Sequence, residues 1–460
     1  MGAVQDPQLI YEYGRWVGNQ CRRAGIQVNY APVVDINNNP DNPVINDRSF
    51  GENKYKVAEY GTMYAKGMQD VGVLACAKHF PGHGDVAVDS HYDLPVINKS
   101  RGQLDSLELY PFRELFKAGV GSVMIAHLFI PAIDNTANRA TSISYNNVTR
   151  LLREEMGYNG LTFTDALEMQ GVKKFFPDGE ASAESLIAGN DMLCLPGDIP
   201  GSIEEIKKAI RKKKLSWQQI DERVKKVLHA KYRYGLSRLQ PVNTHHLVRD
   251  LNAKSDDIKR SIAENAITAL RLDDNVIPLL PLQSVKNKEK EPKVAYLGIG
   301  ISSDNKFAHL MRGNYNADVF YFSYREDASR IATLASMLQT RYDVVVTGIH
   351  HYNRFPAGNF GISPAAVQLL QEVQQLKKTI TFVFGNPYAI KNFCEAKNVI
   401  ACYEDDAITQ EAAADVLKGA IITKGKLPVT VCDAFPSGTG INSIPAPLSY
   451  AGVADVHAEK

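Results

Sequence analysis

The run Val73-Leu74-Ala75-Cys76-Ala77 passes directly into Lys78-His79-Phe80-Pro81-Gly82-His83-Gly84-Asp85. A continuous apolar run reads as a strand covered on both faces. Here it delivers a Lys-His pair and a glycine-bearing loop at its C-terminal end. The same pattern recurs along the first half of the chain. Residues 28–34 end in Asp35, 122–126 in His127 and 161–164 in Asp165, and 192–195 form a fifth apolar run. Amphipathic stretches lie between these runs, at 7–24, 54–70, 102–117, 144–156 and 181–189; two more follow, at 202–213 and 217–234. Alternating βα units predict a parallel sheet with helices outside it.

Two parallel architectures place chemistry at strand C-termini. A (β/α)8 barrel gathers it at one rim, and an open doubly wound sheet holds it in a crevice at a switch point. Four successive strands that each deliver a polar end predict the TIM-type barrel. Only five strands are legible, and such a barrel needs about eight. Roughly the first two or three βα units are therefore expected to be absent from this sequence. The alternatives are strands that their pattern does not reveal and a barrel incomplete by nature.

The chain has 460 residues, which predicts two domains. Residues 1–236 form the partial barrel. Residues 237–292 read as a linker holding a helix near 255–270 and a charged run at 286–293. The βα rhythm restarts over 293–435, with strands at 294–299, 319–322, 344–347, 380–384, 399–402 and 429–431 and helices at 327–340, 364–377 and 409–418. This part is read as a three-layer α/β sandwich. Residues 436–460 read as a tail, or as a linker to a further C-terminal domain.

Fifty-two Lys and Arg balance 51 Asp and Glu, for a net charge of +1. That balance gives no reason to expect a nucleic-acid or polyanion binder. No run of about 18 apolar residues predicts a membrane span. The six cysteines are scattered without a CxxC pair, so neither a disulfide framework nor a structural zinc site is expected. Cys76 and Cys194 read as small buried hydrophobes.

The loop from Lys78 runs on through Asp89-Ser90-His91. It reads either as a solvated surface loop or as a functional loop positioned by a rigid scaffold. A carboxylate at Asp89 reaches an imidazole two residues on, fixes its tautomer and raises its basicity, which makes His91 a proton donor and acceptor. Asp165 either caps the following helix or, beside such a partner, is a candidate nucleophile, because retaining glycosidases need one attacking carboxylate and one proton donor. Arg48, in Asn46-Asp47-Arg48-Ser49-Phe50-Gly51, is either a surface charge or a fork for sugar hydroxyls. His350-His351 point opposite ways in an extended segment and are not read as a metal site. Gly298-Ile299-Gly300 is read as a turn.

These segments, in this order, resemble glycoside hydrolase family 3, and most closely its bacterial β-N-acetylglucosaminidases of peptidoglycan recycling. The resemblance rests on NYAPVVD (29–35), DRSFG (47–51), KHFPGHG with DSH (78–91), Ala126-His127, FTDAL (163–167), residues 263–270 and 276–279, and GKLPVTV (425–431). It implies Asp165 as nucleophile and His91, held by Asp89, as acid/base. Arg48, Lys78, His79, His127 and Asp35 would bind the sugar, with no metal and no cofactor. His83 and Asp85 would shape the loop. The expected substrate is a glycan ending in β-linked N-acetylglucosamine. An earlier acidic, Gly-rich motif of the family and the Arg after it are not found, so the chain as given is expected to turn over an aryl β-N-acetylglucosaminide poorly or not at all. The alternatives are a β-glucosidase or β-xylosidase of the family, a phosphorylase, and a non-catalytic glycan-binding module. Compartment is left open.

Overall fold

The computed structural model describes residues 1–89, 92–177, 179–273, 276–281, 292–376 and 378–445. The chain divides into two compact units. The first holds 1–258, 354–360 and 428–430, and the second holds 259–353, 361–427 and 431–460.

The first unit is built on β1 (Val28–Asn29), β2 (Leu74–Phe80), β3 (Ser122–Ile125), β4 (Leu161–Ala166) and β5 (Met192–Cys194). They pair in parallel in the order β1-β2-β3-β4-β5. A doubly wound sheet would reverse its order at a switch point. This one advances one strand at a time, so it is an arc of a TIM-type barrel. Alternate residues of each strand face one interior: Leu74, Cys76, Met124, Leu161 and Phe163 form a buried cluster, joined by Val28, Met192 and Cys194 from the two edges. Arg153 and Lys226 converge on Asp191 at the start of β5, and Asp191 accepts from Thr162 of β4. Charge therefore fastens the bottom of the arc.

The helices follow the amphipathic pattern with local departures. The stretch at 102–117 is two helices, Arg101–Ser106 and Leu109–Lys117. Asn146–Glu155 is a π-helix. β2 runs on through Lys78 and His79 rather than stopping at Ala77.

The second unit holds β6 (Thr268–Leu272), β7 (Val294–Ile299), β8 (Asp318–Phe322), β9 (Val344–Ile349), β10 (Thr379–Val383) and β11 (Asn398–Ala401), in the order β6-β11-β10-β9-β7-β8. Every pair is parallel except β11 with β6. Helices Lys306–Tyr315 and Ala407–Leu417 pack together, as do Ile331–Arg341 and Pro364–Gln374, and the unit is an α/β sandwich. Three expectations are corrected. Ser255–Ala266 is a helix but Thr268–Leu272 is an edge strand, its alternating small and apolar residues paired with β11. Residues 429–431 are not a strand, since Pro428 removes a donor there. Cys394 and Cys432 form a disulfide, a pairing that their wide spacing in sequence gave no reason to expect. Among the described residues, no helix is long and apolar enough to cross a membrane.

Candidate active site

The polar ends of β2, β3 and β4 meet at one rim of the arc. Asp35, at the end of the segment after β1, is 1% exposed. Its carboxylate accepts from the backbone N–H of His79 at 3.1 and 3.2 Å, from the His83 N–H at 2.7 Å, and from His79 Nδ1 at 2.7 Å. A carboxylate can only accept, so the hydrogen of this bond is on His79 Nδ1, and the other ring nitrogen is Nε2. Arg48 Nη2 lies 3.5 Å from that nitrogen. Burial would raise the Asp35 pKa, but His79 and His83 bring it below the usual carboxylate value. The Asp35 carboxylate thus holds the His79 ring and the His79 and His83 backbone.

Asp165 ends β4. The Ala166 N–H donates to Oδ1 at 2.9 Å. Burial again acts to raise the pKa, and His79, His127, the Ala166 N–H and Lys78 outweigh it, so Asp165 is held ionised below the ordinary range. Burial, then the neighbouring Arg48 charge, pulls the Lys78 ammonium below its ordinary value. Asp35, Lys78, His79, His127 and Asp165 therefore form one electrostatically coupled cluster.

His127 is fully inside it. Nε2 donates to the Ala166 carbonyl at 2.9 Å, and Nδ1 is hydrogen-bonded with Ser142 Oγ at 2.7 Å. The ring spans from β3 to the residue after Asp165 and holds the end of β4. Arg48, on a short 3-10 turn, is exposed and donates to the Val44 carbonyl.

The loop after β2 is folded tightly against its support. Gly82 has φ +129°, and a Cβ there would lie 2.7 Å from Glu108 Cβ; a Cβ on Gly84 would lie 1.7 Å from the Ile36 carbonyl oxygen. His83 is 2% exposed, and neither ring nitrogen has a partner among the described residues. Burial first, then His79, pushes its pKa down to about 4. The Asp89 carbonyl accepts from the N–H groups of Tyr92 and Asp93. Ser90 and His91 lie outside the described residues.

Sequence reasoning missed Lys99, whose ammonium reaches Asp85 and Glu108. A lone Lys ahead of a helix gives no local signal of that contact. A cavity of about 660 Å³ between Gly119–Gly121, Gly157–Leu161 and the helix Trp217–Arg233 is lined by strand beginnings. It opens away from Asp165, at the end of a barrel that serves stability rather than chemistry. In the second unit, His350 is buried between Tyr296 Oη and Asp405, each at 2.7 Å, while His351 is exposed. Among the described residues, no group of three or more His, Cys, Asp or Glu is placed to hold a metal.

A family model described as the glycosyl hydrolase family 3 N-terminal domain matches residues 1–230. Beta-hexosaminidase A of Pseudoalteromonas piscicida is 30% identical over 455 residues, covering 90% of this chain and 75% of that protein. A beta-hexosaminidase of Thiobacillus denitrificans is 35% identical over 202 residues, covering 42% of this chain and 54% of that protein. The chain thus spans three quarters of the first and about half of the second. A family 3 beta-N-acetylglucosaminidase structure from Paenibacillus sp. superposes with a TM-score of 0.74 at 29% identity, covering 94% of this chain and 81% of that one.

Proposed function

The chain belongs to glycoside hydrolase family 3, and on that premise we propose that it removes terminal β-linked N-acetylglucosamine from glycans, with peptidoglycan fragments as the natural class. Asp165 attacks the anomeric carbon and forms a covalent glycosyl-enzyme. A second group protonates the leaving oxygen and then deprotonates the incoming water. His91, oriented by Asp89, is that second group; its part rests on the Asp-Ser-His sequence. An imidazole titrating near 6.5 suits both proton transfers at neutral pH. Arg48, Lys78 and His79 bind the sugar hydroxyls. Asp35 and His127 are positioning residues, acting through His79 and through the end of β4.

One observation carries the reading: a mostly buried carboxylate at a strand end, kept ionised by His79, His127 and Lys78, with one oxygen fixed by the Ala166 N–H. An ionised, oriented carboxylate is what a nucleophile at an anomeric centre requires. The relatives named hexosaminidases support the sugar assignment.

The test is to trap the intermediate. A 5-fluoro N-acetylglucosaminyl fluoride should add one sugar mass to the peptide carrying Asp165, read by mass spectrometry. An adduct on a different carboxylate would refute the assignment. So would turnover through an oxazoline formed by the substrate's own acetamide. Product analysis with and without inorganic phosphate should give free N-acetylglucosamine in both cases.

A further inference from the structure

The loop that follows β2 leaves the rim at Pro81 and returns at Val96, where Ile97 N–H donates to the Phe129 carbonyl. Between these points it carries Asp89, the carboxylate proposed to orient the acid/base. Two charged contacts hold it among the described residues. One is Lys174 with Asp93 at 3.2 Å, both side chains more than half exposed, a pair that solvent and salt screen. The other is Lys99. Its Nζ lies 2.6 Å from Asp85 Oδ2 and also contacts Glu108 Oε1; Lys99 is 18% exposed and Glu108 only 3%. With the Asn38 amide oriented to satisfy both its ends, its oxygen accepts from the same ammonium at 3.2 Å.

One ammonium therefore joins three elements at the rim: the segment after β1, the loop after β2, and the residue leading into helix Leu109–Lys117. The backbone is built to accept this contact. Gly82 rests on the Glu108 side chain and Gly84 on the Ile36 carbonyl, each without room for a Cβ. Burial acts to lower the Lys99 pKa, yet Asp85 and Glu108 hold it above the ordinary value. The clamp stays charged.

We propose that Lys99 is a positioning residue for leaving-group protonation: by pinning Asp85 to Glu108 it sets the loop from which Asp89 orients the acid/base. The proposal rests on the glycosidase reading above. It differs from a general stabilising role in which step it affects. A displaced acid/base slows departure of aglycones that need a proton and spares those that leave as stable anions.

The experiment compares wild type with Lys99→Met and with Asp85→Asn, a milder change that keeps the buried Lys99–Glu108 pair. Two substrates are used, phenyl and 2,4-dinitrophenyl β-N-acetylglucosaminide. In both variants kcat/KM for the phenyl glycoside should fall about a hundredfold. For the dinitrophenyl glycoside it should fall by no more than about threefold, since that leaving group needs no general acid. Backbone hydrogen exchange, measured on the same proteins, should accelerate over residues 82–89 and not over β4. Equal losses on both substrates, or unchanged loop exchange, would overturn the proposal. A wild-type protein made at its natural full length and inert to both glycosides would instead overturn the glycosidase reading, and the exchange measurement would still decide whether Lys99 pins the loop.

Discussion

Asp165 sits where burial favours the protonated acid, and its neighbours reverse that preference. The acid limb of kcat/KM that belongs to it should therefore lie below the ordinary aspartate value of about 3.9. Between pH 5 and 7 no loss of rate should trace to this group. Asp165→Asn should lower kcat at least about a thousandfold on an aryl β-N-acetylglucosaminide, with the fold unchanged by circular dichroism; a variant within tenfold of wild type would exclude it as nucleophile. His83 makes an opposite demand. Its folded pKa of about 4 lies below an unfolded value near 6.5. Between those values the unfolded chain binds the extra proton, so stability falls as pH drops through this window, by roughly 3 kcal/mol in all. His83→Leu loses no hydrogen bond seen among the described residues. It should gain on wild type steadily from pH 6.5 to 4 in urea titrations. A constant gap between the two would show that His83 does not titrate on unfolding. At this scale the sequence was informative about which polar residues cluster: Asp35, Lys78, His79, His127 and Asp165 each follow an apolar run. It was silent on which ones face outward. Asp35 and His127 differ from Lys78 only in what lies beneath them, and that depends on partners distant in sequence, His79 and Ser142.

Elements were legible where one periodicity ran undisturbed, and obscured where tertiary contacts overrode it. Helix Lys54–Asp70 matches its pattern at both ends because Asn53 caps it and the apolar stripe is continuous. The stretch 102–117 has an equally good stripe, yet it breaks at Leu107, where φ −122° and ψ −80° turn the chain. That break brings Glu108 under Gly82. Strand β2 outruns its apolar stretch for a related reason: Asp35 pays for the buried polar ends of Lys78-His79 by accepting from the His79 backbone. β6 was hidden because a helical stripe leads straight into it, and its strand character comes from β11. The tight fit of the loop gives the prediction at this scale. Gly84→Ala places a methyl group 1.7 Å from the Ile36 carbonyl oxygen, so backbone must move. The cost should be about 1–3 kcal/mol in chemical denaturation, with activity lost alongside. Gly102→Ala, in a helix and with open space around it, serves as the control and should lower neither.

At the level of the whole molecule, the division into two units has a thermodynamic consequence that the cysteines make measurable. Both partners of the disulfide belong to the second unit, 38 residues apart. The bond fastens the segment after β11 to the turn Pro387–Phe393. Among the described residues beyond Cys432, Ile441 N–H donates to Ala269 of β6, Leu427 N–H to the Thr439 carbonyl, and Ser443 N–H to Thr423. Within this stretch Ile441 forms an isolated bridge with Ala269 of the edge strand. Closing a loop of this length removes unfolded-state entropy worth about 4 kcal/mol in the chain-entropy account. For a unit of this size that corresponds to roughly 10 °C in Tm. The first unit contains no disulfide among its described residues. Cys76 is buried there with its thiol pushed up to about 12, mainly by burial, so it resists oxidation and exchange. Calorimetry with and without reductant should then show two transitions, of which one moves down by roughly 10 °C on reduction and the other stays. Cys394→Ala with Cys432→Ala should reproduce the shift without reductant. A single transition that moves as a whole would mean that the two units unfold cooperatively, and that the disulfide stabilises the barrel arc as well as the sandwich.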